Sequence, residues 1–181
     1  MLRAPPDLAY IAFQLARFVS NPAALHYRAA LRVLLYLRAS ASNVFILRPA
    51  PQTPLCAYVD ADWATKFSVS GGILAFMSVP IHWYSRTQRS VSMSSTEAEY
   101  FAMCAAAKEV VFFRDLLLDL GIDLLGPTHV ATDNRSVVAL AFDAVVFKKT
   151  KHILRATEFV RDLATRRVLQ LQWIPGHQAA R

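Results

Sequence analysis

Cysteine is scarce in this sequence, with two cysteines among 181 residues. Cys56 lies in a strand-like segment and Cys104 in an alanine-rich segment of helical character, without the paired spacing of a zinc site. The pattern therefore excludes a zinc-binding motif and predicts two buried free thiols. Free thiols of this kind favour a reducing compartment.

Long apolar runs are also missing. No run reaches the roughly 18 apolar residues needed to cross a bilayer, so we expect no membrane partner. The apolar stretch Leu8–Ala16 follows Arg3, but Asp7 interrupts the flank and Arg17 follows at once, which fits an amphipathic helix better than a secretory signal. Hydrophobic residues still make up 55% of the sequence, which is enough for a packed core.

Acidic residues are outnumbered by basic ones, and the net charge is +7. The excess is concentrated between Arg135 and Arg181, where nine Lys or Arg face three Asp or Glu. A basic segment of this kind suits a polyanion such as nucleic acid, although a merely solvated face would have the same composition.

Periodicity predicts two helices followed by a region of mixed strands and helices. The first helix covers about Asp7–Val19, and the second starts with Asn21 as its cap and Pro22 in its first turn. Gly71-Gly72 and Val79-Pro80 are predicted turns, and Gly121 after Leu120 is predicted to end the long helix. The later elements are predicted as strands Val44–Leu47, Leu55–Asp60, Ile73–Val79 and Ile81–Arg86, helix Thr96–Leu120, strand Thr128–Thr132, helices Asn134–Phe142 and Leu154–Arg166, and strand Val168–Ile174.

This order of elements predicts an α/β fold, in which a mixed sheet carries helices packed on it. Pro49, Pro51 and Pro54 mark a boundary between a helical appendage, residues 1–50, and a main domain, residues 51–181.

Acidic residues occur where the predicted strands end and the long helix begins. Asp60 ends the first strand of the main domain, Asp133 follows the fourth, and Glu97 and Glu99 open the helix. Ligand sites in open α/β sheets gather at such places, and carboxylates that meet there repel unless a cation such as Mg²⁺ or Mn²⁺ joins them. A site of this kind supports phosphodiester hydrolysis with two metal ions. Asp133 with Asn134 could instead cap a helix.

The two glutamates differ in their local role. Ser94 and Glu97 have the spacing of a capping box, in which the glutamate bonds back to the helix start. That leaves Glu99 free to face the sheet edge as a ligand, although Thr96 and Glu99 have the same spacing.

Other candidates lie in loops. His177 follows a Pro-Gly step after the last strand, where it could shuttle protons or face solvent without a role. Lys148, Lys149, Lys151 and His152 could together grip a phosphate backbone. Three aromatic residues could stack on bases or belong to the core: Trp63, Trp83 and Tyr84.

Six motifs occur in the order seen in the RNase H domains of copia-type retrotransposon polyproteins, and the sequence resembles these over essentially its whole length. The motifs are Tyr58–Trp63, Ser94–Tyr100, Ala106–Glu109, Asp133-Asn134, Thr150–Ile153 and Trp173–His177. Upstream, three segments resemble the end of the reverse transcriptase: Pro6–Tyr10, Ser20–Pro22 and Arg32–Arg38.

The resemblance implies an RNase H-like mixed five-stranded sheet flanked by helices, and hydrolysis of the RNA strand of an RNA–DNA hybrid with Mg²⁺ or Mn²⁺. On these motifs, Asp60, Glu99 and Asp133 are expected to bind the metal and act in catalysis, and His177 to lie near the family's mobile loop. Asn134 and the basic loop are expected to bind nucleic acid.

The sequence departs from this family in two places. The family's fourth acid stands in an Ala-Asp step soon after the loop, whereas residues 178–181 are Gln-Ala-Ala-Arg and the final helix is missing. The turn between Trp63 and Ser68 is several residues shorter than the usual Arg-rich turn. Because the loss of one carboxylate weakens metal binding in a two-metal site, we expect low or absent activity.

A second resemblance points to another class of function. Some secreted RxLR-type effectors of oomycete plant pathogens, which suppress host cell death, are similar copia-like fragments. Residues Arg32–Leu35 are a degenerate form of the R-x-L-R motif, and no Glu-Glu-Arg follows. As such an effector, the chain would be non-catalytic, secreted, delivered into host cells and bound to a host protein; as an enzyme, it would be cytoplasmic or nuclear.

Overall fold

The computed structural model describes residues 5–43, 46–52, 54–142 and 151–176. The chain forms two compact units, Met1–Arg48 and Pro49–Arg181. Its elements, in chain order, are α1 (Ala9–Ala16), α2 (Ala24–Ala39), β1 (Cys56–Asp62), β2 (Val69–Phe76), β3 (Val79–Thr87), α3 (Ser95–Asp119), β4 (Thr128–Thr132), α4 (Arg135–Phe142), α5 (Lys151–Thr165) and β5 (Leu169–Trp173).

The first unit is helical, and its second helix begins later than predicted. The prediction that Asn21 caps α2 with Pro22 in the first turn is wrong, because Ala23 occupies the cap position. The backbone N–H of Ala23 donates to Nδ1 of His26 at 3.0 Å, so a residue inside the first turn completes the cap.

A polar contact joins the two helical segments of this unit. The hydroxyl of Tyr36 donates to Oδ2 of Asp7 at 2.5 Å, across 29 residues of sequence. This hydrogen bond and the charge of Asp7 raise the pKa of Tyr36 above its usual value.

The predicted strand Val44–Leu47 is not found in the part of the chain that the structure describes. Residues 44 and 45 lie outside the described residues, and Ile46 and Leu47 are irregular and exposed. An apolar run without a neighbouring strand cannot form the ladder of hydrogen bonds that defines a sheet.

The second unit contains a five-stranded sheet in the order β3-β2-β1-β4-β5. β1 pairs antiparallel with β2, and β2 antiparallel with β3, whereas β4 runs parallel to both β1 and β5. The predicted mixed five-stranded sheet with flanking helices is therefore confirmed. No helix in the described ranges is long and apolar enough to cross a membrane.

The turn of the β2–β3 hairpin lies at residues that have no turn preference in the sequence. Met77 and Ser78 form the turn, with φ angles of 52° and 65°, a conformation that favours glycine or asparagine. Both predicted turns are wrong: Gly71-Gly72 lies inside β2, and Val79-Pro80 begins β3. Gly72 is needed for packing, since a Cβ there would lie 2.6 Å from the ring of Tyr84.

Helix α3 has the predicted ends. Ser94 is its cap, and the Ser94 hydroxyl accepts a hydrogen bond from the N–H of Glu97 at 3.2 Å. At the other end, Gly121 has a φ of 78°, and its N–H and that of Ile122 donate to Leu118 and Leu117 carbonyls, which is a Schellman motif. These stops fix which residues of α3 lie over the sheet.

The core lies between the sheet and α3, with α5 completing it. Leu55, Leu74, Met103, Val110 and Val130 are fully buried there. The two cysteines are free thiols, and Cys104 is buried as predicted, whereas Cys56 is only half-buried.

Candidate metal centre

Parallel pairing of β1 and β4 brings two acids level at one edge of the sheet. Cys56 pairs with His129 and Tyr58 with Ala131. Continued along both strands, this register sets Asp60 beside Asp133, the residue that directly follows β4. The predicted strand end at Asp60 is wrong, because β1 continues to Asp62 through its pairing with β2, whereas Asp133 directly follows β4 as predicted. The register explains why the two acids are neighbours.

Glu99 completes the cluster from the first turns of α3. One carboxylate oxygen each of Asp60, Glu99 and Asp133 lie within 4.8 Å of one another. The two aspartates are exposed, whereas Glu99 is 9% exposed. The site is thus open on the strand side and closed on the helix side.

The cluster concentrates negative charge on a buried group. Burial, which is the largest cause, and the charges of Asp60 and Asp133 together raise the pKa of Glu99 to about 8. The Asp60 carboxylate accepts a hydrogen bond from the N–H of Ala61 at 2.8 Å. Oε2 of Glu99 is buried and has no hydrogen-bond partner among the described residues.

These residues fit a hard divalent cation. The donors are all carboxylate oxygens, which Mg²⁺ and Mn²⁺ prefer. A cation would satisfy the orphaned Oε2 of Glu99 and offset the repulsion between the three charges. Asp60, Glu99 and Asp133 therefore form the candidate ligand set of this centre.

The alternative role of Asp133 as a helix cap is not the one observed. Asn134 caps α4, because its Oδ1 accepts hydrogen bonds from the N–H groups of Ser136 and Val137 at 3.0 and 3.3 Å. Glu97 also has a local partner, since its Oε2 accepts a hydrogen bond from the N–H of Met93 at 2.8 Å. Asn134 and Glu97 therefore make the local contacts at the starts of the two helices, and Asp133 and Glu99 belong to the acidic cluster.

Several predicted residues fall outside the described part of the chain. His177, Lys148 and Lys149 lie outside the described residues, as do the side chains of Lys151 and His152 at the start of α5. Gly176 is described, and a Cβ there would lie 3.2 Å from Oδ2 of Asp133. The Pro-Gly step before His177 therefore reaches the acidic cluster.

The three aromatic candidates separate into two groups. Tyr84 is buried against Gly72 and belongs to the core, and Trp83 is half-buried. Trp63 is exposed close to Asp60 in sequence, and its indole N–H donates to the carbonyl of Ser92 at 3.1 Å. Of the three, only Trp63 is exposed.

Sequence reasoning missed a positively charged side chain, Arg135, at this edge of the sheet. The guanidinium of Arg135 lies 3.9 Å from the ring centroid of Trp173, and the Trp173 indole donates to the carbonyl of Asp133 at 2.9 Å. The sequence does not show this contact, because Arg135 and Trp173 are brought together by the β4–β5 pairing. The stacked arginine adds a fixed positive charge beside Asp133.

Sequence comparison finds relatives among transposon proteins. The chain is 32% identical over 176 residues to the retrovirus-related Pol polyprotein from transposon RE2 of Arabidopsis thaliana, which covers 95% of the chain but 12% of that polyprotein. It is also 37% identical over 111 residues to secreted RxLR effector protein 161 of Plasmopara viticola, covering 59% of the chain and 78% of that protein. No protein-family model matches the chain.

Structural comparison finds RNases H. LC11-RNase H1 in complex with an RNA/DNA hybrid superposes with a TM-score of 0.53 at 18% identity, covering 70% of this chain and 88% of that one. The foamy viral protease-reverse transcriptase in complex with an RNA/DNA hybrid gives a TM-score of 0.53 at 17% identity, covering 77% and 20%. The fold is therefore RNase H-like.

Proposed function

Because the chain belongs to the family of retrovirus-related Pol polyproteins of copia-type transposons, we propose that it hydrolyses the RNA strand of RNA–DNA hybrids with Mg²⁺ or Mn²⁺. Residues 1–50 would be the tail of a reverse transcriptase, and residues 51–181 the RNase H-like domain. The chain spans about 12% of the length of the transposon polyproteins it matches, so the activities of the whole polyproteins are not transferred to it.

The observation that carries this proposal is the acidic cluster at the sheet edge. Three carboxylates from β1, α3 and the end of β4 lie within 4.8 Å of one another. Burial and the charges of Asp60 and Asp133 disfavour an ionised Glu99, and a cation held by the three carboxylates would offset this cost. Clusters with unfavourable charge of this kind are typical of active sites.

In the proposed reaction, the three carboxylates bind the metal ions and orient them. When bound, two divalent ions supply an activated water and stabilise the charge on the leaving oxygen of the phosphodiester. Exposed Asp60 and Asp133 face the side from which a phosphate arrives, and buried Glu99 closes the opposite side. His177, whose described neighbour Gly176 approaches Asp133, would move a proton at the edge of the site.

Nucleic-acid binding is supported by charge at the same edge. The Arg135 guanidinium is held on Trp173 beside Asp133, and arginine is well suited to phosphate. Among the structural neighbours, two were solved with an RNA/DNA hybrid. Asn134, Lys148, Lys149, Lys151 and His152 are proposed to extend this surface along the phosphate backbone.

Cleavage of a hybrid with labelled RNA, in Mg²⁺ or Mn²⁺, tests the proposal. We expect slow cleavage by the wild type, because residues 178–181 do not supply the family's fourth acid, and none by Asp60→Asn, because a further carboxylate ligand is lost. Asp62→Asn is the matched control, since Asp62 lies two residues away and outside the cluster. Equal loss in both variants, or no cleavage by folded protein that binds Mn²⁺, would contradict the enzymatic function.

A second function is favoured by one observation. The chain covers 78% of secreted RxLR effector protein 161, so a protein little longer than the matching segment exists with that name. In this alternative the chain is non-catalytic, is secreted, and suppresses host cell death by binding a host protein. Expression in plant leaves challenged with a death elicitor tests it: the alternative requires protection that survives Asp60→Asn.

The two functions imply different locations. As an enzyme of a transposon, the chain would act in the cytoplasm or nucleus, where hybrids form. As an effector, it would leave the pathogen and enter the host cytoplasm or nucleus. A tagged native protein detected in culture medium would favour the effector, and its confinement to cells would favour the enzyme.

A further inference from the structure

Gln88 is a buried polar side chain at the end of β3 that the proposed chemistry does not use. It is 7% exposed. Its Nε2 donates to Oγ of Ser70 at 2.9 Å and to the carbonyl of Ala98 at 2.7 Å, and its Oε1 accepts from Oγ of Ser92 at 2.8 Å. Three hydrogen bonds satisfy both ends of the amide, which is what burial of this group requires.

The two acceptors of the Gln88 nitrogen lie close to two of the carboxylates, one on the strand paired with β1 and the other on α3. Ser70 on β2 pairs with Ala61, the residue after Asp60. Ala98 in the first turn of α3 is the residue before Glu99. One buried nitrogen therefore ties the strand edge beside Asp60 to the helix turn that holds Glu99.

A third branch of the same network reaches the exposed side chain of Trp63. Ser92 binds Gln88 through its hydroxyl and accepts the Trp63 indole N–H on its carbonyl. The N–H of Gln88 itself donates to the carbonyl of Ser68 at 2.8 Å. The segment before α3 and the segment after β1 are thus both fixed through residue 88.

We infer that Gln88 is a positioning residue for the metal centre, which sets the separation of Asp60 and Glu99 through Ser70 and Ala98. The inference rests on the proposed function, because it concerns the same carboxylates. Neighbouring groups that orient ligands change metal affinity by about 10- to 100-fold when they are lost. Loss of Gln88 should therefore weaken metal binding while the fold is retained.

Mn²⁺ binding to the full-length chain tests this directly. Gln88→Met keeps the length of the side chain and removes both the donors and the acceptor; we expect its Mn²⁺ dissociation constant, measured calorimetrically, to rise about 10-fold. Gln170→Met is the matched control, since Gln170 is exposed on β5, and it should leave the constant unchanged. Hybrid cleavage by Gln88→Met should be restored by excess Mn²⁺.

Ser70→Ala keeps the test decisive if Gln88→Met does not fold. It removes only the strand side of the bridge, so a smaller rise of about threefold in the dissociation constant is expected. Wild-type affinity in folded Gln88→Met or Ser70→Ala overturns the inference alone. Mn²⁺ binding without hybrid cleavage in the wild type overturns the proposed hydrolysis alone, and absence of Mn²⁺ binding in the wild type overturns both.

Discussion

The unit Pro49–Arg181 contains a core of fully buried apolar side chains, whereas most large apolar side chains in the described part of the unit Met1–Arg48 are exposed. Leu55 and Val130 in the sheet unit have no exposed surface, while Leu34 and Leu35 on α2 are 60% and 62% exposed. Stability in compact domains comes mainly from apolar burial. The comparison indicates that the sheet unit has a core of its own, and that helices in the first unit depend on local hydrogen bonds.

The two units also differ in how they distribute charge. Residues 1–48 contain one acid, Asp7, and six arginines, and Asp7 is bonded to Tyr36. The sheet unit instead brings three carboxylates together without a balancing cation among the described side chains of the cluster. Charge in the first unit can be solvated, whereas charge at Glu99 is buried and must be neutralised.

Matched leucine truncations should give the largest difference between the units. Leu55→Ala creates a cavity in the core and should lower the free energy of unfolding by roughly 2–5 kcal/mol. Leu35→Ala removes an exposed side chain and should change it by less than about 0.5 kcal/mol. Urea unfolding followed by circular dichroism measures both, and equal effects would mean that the first unit buries α2.

The buried carboxyl group of Glu99 should make the stability of the sheet unit depend on pH. Glu99 has a folded pKa of about 8 and a reference value of 4.5, so the unfolded chain ionises first as pH rises. The free energy of unfolding of metal-free protein should therefore fall between about pH 4.5 and pH 8, by roughly 2–4 kcal/mol, and Mg²⁺ should offset this loss.

Glu99→Gln should flatten this pH dependence, because the group can no longer ionise. Asp7→Asn, which removes the acid of the helical unit, should leave the slope as it is in the wild type. Thermal unfolding at pH 5, 6.5 and 8 with and without Mg²⁺ gives the slope. If the unfolding free energy of Glu99→Gln still falls with pH, a group other than Glu99 causes the pH dependence.

Loss of a helix cap should lower the unfolding free energy more in the sheet unit than in the helical unit. Ser94→Ala removes the cap of α3, which packs on the sheet, and should cost about 1 kcal/mol of unfolding free energy. His26→Ala removes the corresponding contact of α2 and should lower helical content without moving the main transition. If both variants shift the main transition alike, the units unfold as one.

Arginine substitutions should give the smallest effect. Arg135→Ala removes the cation stacked on Trp173 and should raise the KM for an RNA–DNA hybrid about threefold, since an exposed charge contact contributes below about 1 kcal/mol. Arg32→Ala removes an exposed arginine from α2 and should leave the KM unchanged. A matching rise in both variants would show only a general effect of net charge.

Local chemistry explains which parts of the fold could be predicted. The Ser94 cap, the Gly121 stop and the bounds of Thr128–Thr132 follow from short-range preferences, and the structure confirms them. The β2–β3 turn could not be found, because Met77 and Ser78 adopt positive φ angles without a residue that favours them. Gly72 looked like a turn residue, yet the contact that requires glycine comes from Tyr84 on another strand.

The candidate site likewise contains residues that could be predicted from the sequence and residues that could not. Asp60, Glu99 and Asp133 could be selected from their positions at element ends, but their proximity depends on the β1–β4 register. Gln88 gave no signal, because its three partners lie on different elements. Arg135 was missed for the same reason, since Trp173 is 38 positions away along the chain.

The parallel register of β1 and β4 limits how sequences of this kind can diverge. Inserting one residue between Cys56 and Asp60 would turn Asp60 to the opposite face of the sheet, because side chains alternate along a strand. Length changes between Trp63 and Ser68 leave that pairing intact, since the segment follows β1 and precedes β2. Selection for the acidic cluster would therefore tolerate insertions and deletions in this loop and remove them from the strands.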